Sequence, residues 1–136
     1  MSYSRLHLKH SLTPLAVFAG VLFLDQIIKN LSLHSGKFQK NYSALFGLEI
    51  NKPLSFLILL IFVISSYVYL KNKRSEKFFL IPFALMTSGI ISNLIDKINY
   101  NFIIDYIDFF NIFIFNFADL AILLGALFFI WRIIKE

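Results

Sequence analysis

The residues that could do chemistry in this chain are carboxylates, amides and lysines set at helical spacing. Asp25 precedes Lys29 by four residues, Asn93 precedes Asp96 and Lys97 by three and four, and Asn116 precedes Asp119 by three. On a helix each set lies along one face. Asp105 and Asp108 fall between the last two sets. Two carboxylates brought close together cannot both ionise easily, so one keeps its proton. The ionised partner then acts as general base toward a water, and the protonated one polarises a carbonyl. That is the chemistry of aspartyl peptide hydrolysis. Either acid can hold the proton, and the pair titrates as one unit. The chain has no Cys, which excludes disulfides, thiolate metal sites and Cys nucleophiles. It has no H-E-x-x-H, and His7, His10 and His34 lie away from the carboxylates in sequence. A Ser-His-Asp triad would have to borrow His34.

The elements that must position these groups follow from composition. Of 136 residues, 58% are hydrophobic and 17 are Phe. Only 15% are charged, against about 25% in an ordinary soluble domain. So small a soluble protein could not hide that much apolar surface, and disorder needs the opposite composition. The expected fold is an all-α integral membrane protein, one domain over 1–136. Four stretches near 13–33, 53–70, 78–98 and 117–134 are long and apolar enough to span a bilayer as helices. The outer loops are expected at 34–52 and 99–116, as a small irregular or β-containing segment. Pro53 suits a first helical turn. The first run lacks a small-x-small cleavage site and continues past Asp25, so it reads as a retained helix.

The net charge of +5 is carried by basic clusters at the ends of the apolar runs. That is a membrane-orientation pattern and not a nucleic-acid footprint. Arg5 and Lys9, then Lys71, Lys73, Arg74 and Lys77, then Arg132 and Lys135 fall on one side if both termini are cytoplasmic. Lys37, Lys40 and Lys52 fall on the other. This orientation gathers every polar set at one level, the outer membrane surface. An ionisable group at membrane depth costs about 2.5–3.5 kcal/mol on insertion scales, so each is a functional hypothesis.

The chain resembles the lipoprotein signal peptidase, or signal peptidase II, family of bacterial inner membranes. The residues that carry the resemblance are Leu24-Asp25-Gln26-Ile27-Ile28-Lys29 for D-Q-x-x-K, and Asn41-Tyr42-Ser43-Ala44-Leu45-Phe46-Gly47 for N-x-G-A-A-F. Gly89 with Asn93-Leu94-Ile95-Asp96-Lys97 matches G-x-x-G-N-x-x-D-R, Ile103-Ile104-Asp105-Tyr106-Ile107 matches V-V-D-F-I, and Phe115-Asn116-Phe117-Ala118-Asp119 matches F-N-x-A-D. Each motif alone is weak, but five in the right order are strong together. The resemblance implies that Asp105 and Asp119 are the catalytic pair. It implies that Asn93, Asp96 and Asn116 orient the pair or hold the substrate backbone, that Asp25 contacts substrate or supports the structure, and that Asn41 belongs to a segment over the site. Lys29 and Lys97 join these as supporting residues. The implied substrate is a prolipoprotein whose Cys already carries diacylglycerol, cut just before that Cys. The implied setting is the inner membrane as a monomer among lipids, with the site at the periplasmic face, sensitivity to a globomycin-type inhibitor, and no metal, cofactor or nucleic acid. The chain departs from the pattern at Lys97, where the family has Arg, and at Ser43 and Ser92, where it has Gly. The stretches from Asp25 to Asn41 and from Asp105 to Asp119 are short, so the outer β-rich platform should be reduced. The apolar segment 109–115 is a candidate interface element or lipid clamp.

Simpler roles compete at each position. Asn116 and Asp119 fit an N-cap and its N3 partner. Asp25 and Lys29 fit a structural ion pair, Asp96 and Lys97 a helix end meeting water, and Asp108 an ordinary interface carboxylate. His7 and His10 fit residues beside anionic headgroups. Tyr42, Tyr100, Tyr106 and Trp131 fit an aromatic belt. Two functional rivals are a non-catalytic family member that binds lipidated signal peptides, and a small proton or cation transport subunit. A transport path needs polar residues through the full depth, and here the inner halves of the apolar stretches are almost wholly apolar.

Overall fold

The structure is a computed structural model that describes residues 3–42, Tyr67 and 80–135. The rest of the expected second span, the basic cluster at 71–77 and the motif residues 43–47 lie outside the described residues. The elements in chain order are α1 (Tyr3–Ser35), β1 (Gln39–Asn41), α2 (Leu80–Tyr100), β2 (Ile103–Asp105), β3 (Ile107–Phe109), β4 (Phe113–Phe115) and α3 (Phe117–Ile134). Tyr67 is helical.

The first helix begins at Tyr3, ten residues before the apolar run expected at 13–33, and carries Pro14 inside it. Hydropathy marks the stretch that faces lipid, whereas backbone hydrogen bonding marks the helix, and here the helix outruns the apolar run. The part from Leu12 to Ser35 is long and apolar enough to cross a membrane, and Phe117–Trp131 is a shorter apolar helix. Large apolar side chains point outward: Leu15, Phe23 and Leu31 on α1, and Leu127, Phe128 and Trp131 on α3, are all exposed. The buried face of α2 is small or polar instead, with Ala84, Thr87, Ser88, Gly89 and Ser92. Thr87 and Ser88 satisfy their hydroxyls on the carbonyls of Phe83 and Leu85, one turn earlier. Apolar outside and small or polar inside is the arrangement a lipid solvent favours.

Helix α2 is central and packs against both α1 and α3. Gly89 sets its approach to α3: a Cβ there would lie 2.4 Å from the Ala118 carbonyl oxygen. That atom is backbone and cannot swing away. Gly89→Ala is therefore expected to destabilise the protein by about 1–3 kcal/mol. Thermal unfolding in detergent measures this, and an unchanged midpoint would contradict the close approach.

Both α1 and α2 end in ways that turn the chain back into a strand. Gly36 (φ 69) closes α1, with Gly36 N–H donating to the Leu33 carbonyl and Lys37 N–H to the Ser32 carbonyl. This is the Schellman arrangement, and glycine meets its left-handed backbone without strain. Asn101 (φ 66) closes α2 with its N–H on the Lys97 carbonyl. The strands that follow pair antiparallel, Gln39 opposite Asp105 and Asn41 opposite Ile103. All three residues of β2 are buried. A second antiparallel pair, β3 with β4, sets Ile107 opposite Phe115 and Phe109 opposite Phe113. Its tip holds Phe110 and Asn111 in the left-handed region, and Asp108 Oδ1 accepts the Asn111 N–H at 2.8 Å. Among the described residues the strands form two sheets of two strands each.

Candidate active site

The most buried charges come from the first two helices. Lys29 Nζ lies 2.7 Å from Asp25 Oδ2 and 2.8 Å from Asp96 Oδ2, and all three side chains are at most 1% exposed. Its third donor goes to Asn93 Oδ1 at 2.8 Å. One cation therefore faces two carboxylates, and hydrogen bonds from neutral groups carry the remaining compensation. Ser92 Oγ donates to Asp25 Oδ2 at 2.6 Å, and Tyr106 and the Ala118 N–H donate to Asp25 Oδ1 at 2.9 and 3.1 Å. Gln26 Nε2 donates to Asp96 Oδ1 and the Ile104 N–H to Asp96 Oδ2. Through these contacts the ion cluster ties α1 to α2, to β2 and to the start of α3.

The other two acids sit one layer away, linked by amides. Asn116 is fully buried and is the N-cap of α3. Its Oδ1 accepts the Asp119 N–H at 2.9 Å, and Asp119 Oδ2 accepts the Asn116 N–H, which completes a capping box. The same side chain donates through Nδ2 to Asp105 Oδ1 at 2.7 Å and to Asn93 Oδ1 at 3.1 Å. Asn93 Nδ2 donates to Asp119 Oδ1 at 2.7 Å, and Asn41 Nδ2 donates to Asp105 Oδ2 at 2.8 Å. Asp105 and Asp119 thus hang on one amide, Asn116, and each carboxylate has both oxygens oriented. Among the described residues no buried side-chain nitrogen or oxygen lacks a partner. The capping role and the bridging role of Asn116 coexist in one side chain.

Asp105 is 2% exposed at the end of β2. Burial pushes its carboxyl up from 3.8 to about 6, the nearby Asp119 charge adds to the rise, and the Asn41 and Asn116 hydrogen bonds oppose it. The sign for stability follows. The folded protein binds a proton at Asp105 that the unfolded chain has released, between about pH 4 and the folded value near 6. This stabilisation is whole below pH 4 and is lost as pH rises through 6. Asn does not titrate, so Asp105→Asn should gain melting temperature relative to wild type on going from pH 4 to pH 7. Equal differences at both pH values would contradict the raised value.

The remaining expected residues separate cleanly. Asp96 turns into the ion cluster, whereas adjacent Lys97 turns out and donates to the Tyr42 carbonyl at 2.7 Å. Asn93 and Asp96 thus join Lys29, and Lys97 reaches the segment at Tyr42. Asp108 caps the β3–β4 tip. His34 is exposed on α1, with Nδ1 at 2.8 Å from the Asn30 carbonyl oxygen. Among the described residues no three His, Cys, Asp or Glu side chains form a group able to hold a metal ion. Ser92, Gln26 and Tyr106 are parts of the site that spacing did not single out. Gln26 lies beside Asp25 in a quoted motif, Ser92 entered only as a departure from glycine, and Tyr106 read as a belt residue.

Comparisons with known proteins bear on this arrangement. A family model described as signal peptidase (SPase) II matches residues 17–135. The lipoprotein signal peptidase of Buchnera aphidicola subsp. Baizongia pistaciae is 34% identical over 139 residues, covering 84% of this chain and 85% of that protein. The lipoprotein signal peptidase of Clostridium tetani is 33% identical over 120 residues, covering 82% and 76%. A bacterial membrane enzyme solved by the in meso method shares the fold, with a TM-score of 0.75 at 23% identity over 90% of this chain and 88% of that one. The mostly helical fold, the apolar exterior and the sequence matches point to a membrane protein. On these grounds the chain belongs to the signal peptidase II family of proteases.

Proposed function

We propose that this chain is an aspartic endopeptidase that removes the signal peptide from diacylglyceryl-modified prolipoproteins, cutting just before the lipidated Cys. The observation that carries the reading is Asn116, whose one side chain orients Asp105 and caps the helix turn that bears Asp119. In this mechanism a water sits between the two acids. The ionised carboxyl takes one proton from it as the water oxygen bonds to the scissile carbonyl carbon. The protonated carboxyl donates to the carbonyl oxygen, which becomes the hydroxyl of a tetrahedral intermediate. As the carbonyl re-forms, the hydroxyl proton returns to the carboxylate that gave it, and the carboxyl that took the water proton passes it to the leaving nitrogen as the C–N bond breaks. The products are a signal peptide ending in a carboxylate and a free α-amino group on the lipidated Cys. Asn41, Asn93 and Asn116 hold the acids through this cycle, and Asp25, Lys29 and Asp96 hold the helices that carry them. Lys97 supports the segment at Tyr42.

The enzyme works in the bacterial inner membrane with four spans, both termini cytoplasmic and the two acids at the periplasmic face. The substrate enters sideways, because its acyl chains are costly to withdraw from lipid. The protein acts as a monomer, and a globomycin-type inhibitor competes for the site. The test is turnover by purified protein in detergent, with a diacylated signal-peptide substrate and its unlipidated counterpart. Cleavage of the first alone, before the lipidated Cys and blocked by globomycin, supports the proposal. A diacylated substrate that stays bound and uncut would identify a binding protein instead.

A further inference from the structure

We infer that Ser92 and Tyr106 are positioning residues for this active site: their hydroxyls lock the two oxygens of Asp25, and Asp25 fixes the first turn of α3, on which Asp119 stands. The inference rests on the reading of Asp119 as an acting acid.

A helix start leaves its first N–H groups without intrahelical partners. In α3 the Asp119 N–H goes to the cap residue, Asn116. The Phe117 and Ala118 N–H groups go to remote side chains, Tyr106 OH at 3.1 Å and Asp25 Oδ1 at 3.1 Å. Asp25 is fully buried and belongs to α1, so the angle at which α3 begins is set by a carboxylate from another helix. That carboxylate serves only while its own orientation is fixed.

Lys29 holds Asp25 Oδ2 by charge, and two hydroxyls complete the fixing, one on each oxygen. Tyr106 accepts from Phe117 N–H and donates to Asp25 Oδ1 at 2.9 Å, closing a ring with Ala118. Burial and the Asp25 charge push the Tyr106 phenol well above its ordinary range, so it keeps its proton to donate. Ser92 accepts from Gln26 Nε2 at 2.8 Å, which directs its one proton to Asp25 Oδ2 at 2.6 Å. In the motif pattern quoted above, glycine and phenylalanine stand at these two positions, and neither carries a hydroxyl. The lock is therefore built from this chain's own side chains, on either side of one carboxylate.

The test compares Tyr106→Phe, Ser92→Ala and the double variant with wild type. It reads kcat and KM on the diacylated substrate, melting temperature, and hydrogen exchange along α3. Each single variant should lower kcat about tenfold with KM within about twofold, because the shift is in the placement of a reacting group. Both act through Asp25, so the double variant should fall within about threefold of the worse single. In Tyr106→Phe, exchange should rise about tenfold at Phe117 and Ala118, and stay unchanged in the second half of α3. Wild-type kcat in Tyr106→Phe, or single effects that multiply in the double, would overturn the inference. So would a uniform rise in exchange along α3 with a lowered melting temperature, which marks general loosening. If the local exchange rises as expected but Asp119→Asn still cleaves, the lock stands and the reading of Asp119 fails.

Discussion

Replacing Asp105 or Asp119 by Asn should lower kcat for the diacylated substrate by about 10³-fold or more, the scale of a lost general acid or base. Asn matches Asp in shape but neither accepts a proton from water nor holds one to give. Stability should fall too at position 119. Asn93 cannot follow a change at 119, because its Oδ1 is held by Lys29 and Asn116 while its Nδ2 faces Asp119. An amide at 119 must therefore turn a donor toward another donor. Asp119→Asn should thus melt lower than wild type as well as lose activity. A near wild-type rate in either variant would remove the paired-acid mechanism.

Replacing Lys29 by Met should cost about 3–5 kcal/mol, the usual penalty for removing one partner of a buried charge cluster. Met fills the space but leaves Asp25 and Asp96 facing each other, both fully buried, without the ammonium between them. The loss also reaches the site, since Lys29 donates to Asn93, which orients Asp119. Against a total stability of about 5–15 kcal/mol this is a large share. Thermal unfolding in detergent reads it, and an unchanged midpoint would show that the cluster does not hold the helices together.

Spacing disclosed the parts of the site that are local. Asp25 with Lys29, and Asn116 with Asp119, are one helical turn apart, and both pairs meet in the structure. The second carboxylate on Lys29 was beyond spacing, because Asp96 arrives from another helix. Lys97 donates to the Tyr42 carbonyl, a partner from a distant segment that helical spacing does not disclose. Tyr106 read as an interfacial ring because composition shows the ring and not where its hydroxyl ends. The early start of α1 was hidden because residues before the apolar run continue the helix without continuing the hydropathy. Asp108 bonds within its own hairpin tip and His34 within its own helix.

The most direct measurement of the central claim is a carbon NMR titration of aspartate carboxyls in wild type and in Asp119→Asn. If the two acids form one electrostatic pair, Asp105 titrates near 6 in wild type and at lower pH once the Asp119 charge is gone. An Asp105 midpoint that does not move on removal of that charge would contradict the account.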